Sequence, residues 1–169
     1  MKFVSANLEN LKELYLDQLQ HLHSAETQIT EALPKMIDKS TDPQLKQALR
    51  THLQETQGHV ARLERILQHA VGKVDSKKNK GIAALITEGE DIITDANSDA
   101  VRDAGIIAAA QKIEHYEMAA YGTMRNFAEI LGLTQEADLL EQTLEEEKHA
   151  DAVLTQISDS ANTRAEKAA

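Results

Sequence analysis

A long apolar stripe with acids at its centre constrains this chain more than any other feature. Within IIAAAQKIEHYEMAAYGTMRNFAEIL (residues 106–131), Ile107, Ala110, Glu114, Glu117, Tyr121, Met124, Ala128 and Leu131 recur at spacings of three and four. That spacing puts all of them on one face of an α-helix. All suit a buried face except Glu114 and Glu117, which sit in its middle. A buried carboxylate is costly unless it is neutralised or paired. The face therefore needs either water or a cation against it, and the rest of the sequence favours the cation.

The same period runs through the chain. A first helix is expected from Ser5 or Asn7, either of which can cap it, to about residue 38. Its stripe is Leu8, Leu11, Tyr15, Leu19, Leu22, Glu26, Ile29, Leu33 and Met36, with Pro34 near the end. After a short turn, Asp42 followed by Pro43 is a strong helix start. The second helix is expected to run to about residue 70, with Leu45, Ala48 or Leu49, His52, Glu55, His59, Leu63 and Ile66 on one face. A polar connection over 71–79 leads to a shorter amphipathic helix over 80–95. The central helix follows, from 99 to 131, then a tight turn at 132–134 and a last helix from 135 to 157. Residues 158–169 are small and polar and read as a flexible tail.

Two tight turns make two antiparallel hairpins, and the long connection between them suits a crossover spanning a bundle. The expected fold is all-α: a four-helix bundle of one domain, residues 1–157, with a short fifth helix in the crossover. At 169 residues the chain is long enough to bury a real core.

Charge and composition narrow the chemistry. A formal net charge of −10 argues against nucleic acid, which demands a basic face. It suits a cationic partner such as a metal ion, although solubility alone also accounts for it. Without cysteine there is no thiolate zinc site, iron–sulfur cluster or disulfide. Any metal must be held by oxygen and imidazole. No apolar run is long enough to span a membrane. The opening MKFVSANLENLKEL lacks the apolar core of a signal peptide, so a cytoplasmic protein is expected.

The acids match in depth. Glu26 lies 12 residues before residue 38 and Glu55 lies 12 after residue 43, so both stand roughly 18 Å from the turn. Glu117 lies 14 residues before residue 131, and Glu146 and Glu147 lie 12 and 13 after residue 134. Carboxylates meeting in a core repel one another, and divalent metal relieves that repulsion. Di-iron carboxylate bundles use one Glu from each of two helices and a Glu-x-x-His from each of the others. Glu26 fits the first role and Glu114 or Glu117 the second. Glu146 and His149 form a Glu-x-x-His. The second helix departs from the pattern: Glu55 has His59 four residues on, with Gly58 at three. Both spacings keep the two side chains on one face. His52 is placed either to hold the Glu55 carboxylate or simply to pack, and Tyr121 to pack with its hydroxyl satisfied.

Four segments carry a resemblance to a known family: SAETQ around Glu26, HLQETQGH from His52, AAQKIEHYEMAAYGT from Ala109 and LEEEKHAD from Leu144. Over about residues 8–160 the chain resembles the YciE/YciF-like bacterial stress-response proteins of the ferritin-like superfamily. The resemblance implies a ferritin-like bundle, a homodimer and a dinuclear iron or manganese site. It also implies an acid at the position of Asp151, so the last helix offers either Glu146 with His149 or Glu147 with Asp151. The Glu114–Glu117 pair is similar to third-helix ligands of rubrerythrins. The expected functions are peroxide removal or iron oxidation. An external electron donor would serve any redox turnover, since the chain has no cysteine-bound iron centre of its own. A bundle that stores metal or uses it structurally, and a metal-free interaction protein, are the alternatives.

Overall fold

The computed structural model describes residues 8–168. They form five helices: α1 (Leu11–Lys39), α2 (Pro43–Val71), α3 (Lys80–Asp95), α4 (Asp99–Ile130) and α5 (Thr134–Glu166). No strand occurs among the described residues. The caps expected at Ser5 and Asn7 lie outside the described residues. The helix begins instead at Leu11, where the Asn10 side chain accepts from Glu13 N. Asp42 caps α2 as its sequence predicts, accepting from Gln44 N at 2.7 Å and Leu45 N at 3.0 Å.

Contacts at the two ends fix the direction of each helix. At one end, Asp103 of α4 meets the α1–α2 turn and Arg164 of α5 meets Asp42. At the other end, Tyr15 donates to Glu136 Oε2 at 2.7 Å and His69 Nδ1 lies 3.2 Å from Glu136 Oε1. Helices α1 and α5 therefore run one way and α2 and α4 the other, the order of a ferritin-like bundle with one long crossover. Between these ends the apolar stripes close a continuous core that includes Leu19, Leu22, Leu63, Ile107, Met124 and Leu140. Fully burying each large aliphatic side chain stabilises the fold by about 1.5–3 kcal/mol. Helix α3 climbs back across α1 and α4 through buried Ile82 and Ile93. A Cβ at Gly89 would stand 3.2 Å from that of Ala109, so glycine permits the close approach of α3 to α4. No helix among the described residues is long and apolar enough to cross a membrane.

The tail expected from residue 158 is instead helical through Glu166. Leu154, Ile157 and Ala161 continue the buried stripe at helical spacing, and the Arg164 guanidinium bonds Asp42. A small residue on the buried face and one distant charge partner suffice to extend the helix, and neither stands out in a run of small polar residues.

Asp103 is the keystone of the α1–α2 turn. Its carboxylate accepts from Thr41 N and Thr41 Oγ1, each at 2.7 Å, and from Asp42 N at 2.9 Å. Asp103→Ala removes the acceptor of three hydrogen bonds, one of them from the N–H of buried Asp42. We expect a loss of about 2–4 kcal/mol, read by urea denaturation; an unchanged midpoint would show that the turn does not depend on this carboxylate.

Candidate metal centre

Halfway along the bundle the four long helices each turn polar side chains inward. Helix α1 supplies Glu26; α2 supplies His52, Thr56 and His59; α4 supplies Glu114 and Glu117; α5 supplies Glu147. All are buried. On α2 the inward line Leu45, Leu49, His52, Thr56, His59, Leu63 steps by four and three, one face of a helix. Thr56 satisfies its own hydroxyl by donating to His52 O at 2.8 Å. The other six form two groups whose donor atoms lie within 4.8 Å of one another: His52, Glu114, Glu117 and Glu147 in one, Glu26, His59 and Glu147 in the other. Glu147 belongs to both.

These groups face one another without satisfying one another. Both oxygens of Glu117, both of Glu147, one each of Glu26 and Glu114, His59 Nδ1 and both nitrogens of His52 lack a hydrogen-bond partner. His59 Nδ1 stands 3.0 Å from Glu147 Oε1 and 3.4 Å from Glu26 Oε1. His52 Nε2 stands 3.4 Å from Glu114 Oε1. Leaving buried polar atoms unpaired is expensive, so such a concentration marks a place built to hold something.

The electrostatics agree. Burial, reinforced by Glu147 and Glu26, holds Glu114 well above the ordinary carboxylate range. Burial and the charges of Glu26, Glu147 and Glu114 do the same for Glu117. Burial also raises Glu26, over the opposing pull of His59. Burial opposes a charge on His59, but Glu147 and Glu26 outweigh it and raise the imidazole to about 10. Burial likewise pushes Glu147 up, and here His59 prevails and draws it down. His52 is lowered by burial. Without metal, these shifts favour charge on His59 and Glu147 and disfavour it on Glu26, Glu114 and Glu117.

The donor set suits divalent metal held through oxygen and nitrogen. Four carboxylates and two imidazoles supply the oxygen and nitrogen ligands that such ions accept. Their four negative charges, when ionised, equal the charge of two such ions. Around them, supporting contacts are already made. Glu146 Oε2 lies 2.9 Å from His59 Nε2 and is gripped by Arg62, whose Nη2 donates to Glu146 Oε1 at 2.9 Å. A carboxylate on the outer nitrogen of a histidine sets its tautomer and aims its inner nitrogen. Tyr121, fully buried, donates to Glu26 Oε1.

Of the residues singled out from sequence, Glu26, His59, Glu114, Glu117 and Glu147 lie in the two groups; Glu55, Glu146, His149 and Asp151 stand apart from both. Glu55 is on the flank of α2, its side chain 30% exposed. His149 follows Glu147 by two residues, roughly 200° around the helix, and is exposed. Asp151 meets His115 at 3.5 Å and Gln111 at 3.3 Å instead. His52 takes the inward position for which Glu55 was the candidate. Its signal was present in the spacing of four from His52 to Thr56, which continues the leucine line better than the spacing of three to Glu55.

Comparison with known proteins places the chain in a family. The family model described as a domain of unknown function, DUF892, matches residues 10–167. Protein YciF of Escherichia coli (strain K12) is 38% identical over 165 residues, 96% of this chain and 99% of that one. The crystal structure of the E. coli stress protein YciF superposes with a TM-score of 0.87 at 37% identity, covering 92% of this chain and 98% of that one. YcfI from Rhodopseudomonas palustris gives a TM-score of 0.87 at 38% identity, over 90% and 98% of the two chains.

Proposed function

The chain belongs to the DUF892 family, and from that membership and its buried ligand cluster we propose that it binds two divalent metal ions, iron or manganese, and serves in a bacterial stress response. The observation that carries the reading is the pair of ligand groups sharing Glu147, with inward-facing oxygens and nitrogens that no protein group satisfies. The stress response is supported by the similarity to the E. coli stress protein YciF.

Two such ions supply electron exchange with a peroxide, or a site where iron(II) itself is oxidised. The chain's own residues hold and aim the centre. Glu147 bridges the two ligand groups. Arg62 clamps Glu146, and Glu146 fixes His59 with Nδ1 inward. Tyr121 hands its hydroxyl proton to a hydrogen bond on Glu26 and so orients that carboxylate. Burial favours the neutral forms of Glu114 and Glu117, whereas metal would bind the ionised ones, so uptake would release protons and weaken as pH falls. An external electron donor and a homodimer belong to the same reading.

Metal content after anaerobic addition of iron(II) or manganese(II) tests it. We expect about two ions per chain, with protons released into a weakly buffered solution. No retained metal would overturn the reading. Two ions without peroxide consumption or iron(II) oxidation would leave a storage or structural role for the same centre.

A further inference from the structure

A cleft of about 710 Å³ runs between α2 and α5. Its walls are apolar, with Ala48, Leu49, Val153, Leu154 and Ile157 along its length; its outer rim is uncharged, carrying Gln44, Gln47, Thr51 and Gln156. The inner end changes character. Glu55 and His149 flank it, and His52 and Glu114 form its floor. The last two belong to the first ligand group, so the cleft opens on the candidate metal centre. Glu55 and His149, which stand apart from that centre, are cleft residues.

The volume matches a pocket for an organic molecule. A path for an ion or for hydrogen peroxide needs only a few water volumes of about 30 Å³ each, and a path for cations would be lined by acids. The charges favour neither ionic class. An anion would face the Glu55 carboxylate. A cation would meet a loaded centre whose four carboxylates are balanced by two divalent ions, leaving only the part-exposed Glu55 to hold it.

The floor also specifies a head group. His52 Nε2 points inward to Glu114 at 3.4 Å. His52 Nδ1 points the other way, 4.0 Å from Glu55 Oε2, with no hydrogen-bond partner and a side chain only 8% exposed. A gap of that length is too wide for a direct bond and right for one inserted oxygen. A hydroxyl there accepts from Nδ1–H and donates to the Glu55 carboxylate, using both of its capacities.

We propose that the α2–α5 cleft binds an uncharged organic molecule with an apolar body and a hydroxyl-bearing head (an alcohol, phenol or hydroperoxide), the body between Leu49 and Leu154 and the head between His52 and Glu55. The proposal rests on the dinuclear reading for its account of charge, but binding is read separately from metal content. The probe is 1-naphthol, followed by its fluorescence on metal-loaded and metal-free protein, with 1-methoxynaphthalene, 1-naphthoate and 1-naphthylmethylamine as comparisons. One equivalent of 1-naphthol is expected to bind the loaded protein at least about tenfold more tightly than either charged probe, a difference of about 1.4 kcal/mol. It should also exceed the methoxy compound, and Glu55→Ala should erase that last preference. Val153→Trp should remove binding while the metal content stays unchanged. Gln47→Trp, at the exposed rim, should weaken it without touching the core, and serves if the first variant fails to fold. Equal binding of all probes, or binding indifferent to both Trp variants, overturns the proposal. So does loss of binding as protein concentration rises and a second copy fills the cleft. If 1-naphthol binds a protein that takes up no metal, the dinuclear reading fails and the cleft stands; metal uptake without naphthol binding gives the reverse.

Discussion

Manganese(II) at a hundredfold excess over its dissociation constants is expected to raise the unfolding free energy by about 5 kcal/mol. Each site contributes ~2.7 kcal/mol at that excess, and the cluster offers two. For a domain of this size the gain is about 10–20 °C in Tm. Its dependence on pH follows from the shifts at the centre. Glu26, Glu114 and Glu117 have folded pKa values above their unfolded ones. Between those values the folded state holds more protons than the unfolded state, so stability falls as pH rises. His59, raised to about 10, adds stability that is complete below its unfolded value near 6.5 and lost as pH climbs towards 10. Lowered His52 and Glu147 act the other way at the acid end, losing stability as pH falls. The metal-free protein should therefore soften from mildly acidic to alkaline pH. The loaded protein should gain most where the free one is weakest, because the metal no longer competes with protons. Scanning calorimetry from pH 5.5 to 9, with and without manganese(II), reads both trends. A Tm indifferent to manganese(II) and iron(II) throughout would remove the metal centre from this bundle.

Three of the helices, α2, α3 and α4, were legible at their starts because each carries its own punctuation. Asp42 with Pro43, Asn79 before Lys80 and Ser98 before Asp99 are local cap signals, and the structure starts helices after each of them. The last helix end was not legible. Its extension depends on Ala161 packing into the core and on Arg164 reaching Asp42, which is 122 residues away in the chain. The level at which the acids meet was likewise readable, since depth follows from counting residues at a fixed rise. Rotation about each helix axis was harder. The sequence reading put Glu55 on the face of His52, and allowed Glu146 or Glu147 on α5. Tertiary packing of Leu45, Leu49 and Leu67 turns His52 inward and Glu55 to the flank. On α5, Arg62 captures Glu146 at the edge and leaves Glu147 inside. The repeating unit that read as Glu-x-x-His thus separates into one supporting carboxylate and one exposed histidine.

The same substitution at two acids of this centre should act in opposite directions on the metal-free protein. Glu117 is fully buried, and neither of its oxygens has a partner. Burial and three neighbouring carboxylates disfavour its charge. Glu117→Leu keeps roughly the volume and removes a desolvated polar group whose oxygens have no partner. Metal-free stability should rise by about 1–3 kcal/mol. Glu147 is the acid that keeps its charge, drawn down by His59 across 3.0 Å. Glu147→Leu deprives a buried imidazolium of its fully buried partner at Nδ1. Breaking such a pair costs about 3–5 kcal/mol when no other partner remains. Here Glu26 at 3.4 Å and Glu146 at 2.9 Å still face the ring, so a loss of about 2–3 kcal/mol is expected. Both variants should forfeit the gain from manganese(II), because one removes a carboxylate of the first ligand group and the other removes the member common to both. Urea denaturation of the two variants and the parent, with and without metal, supplies all six free energies. If Glu117→Leu destabilised the metal-free protein as much as Glu147→Leu, the buried acids would be paired among themselves as structure. A gain at Glu117 against a loss at Glu147, with metal stabilisation lost in both, would mean that Glu117 contributes to the fold only through what it binds.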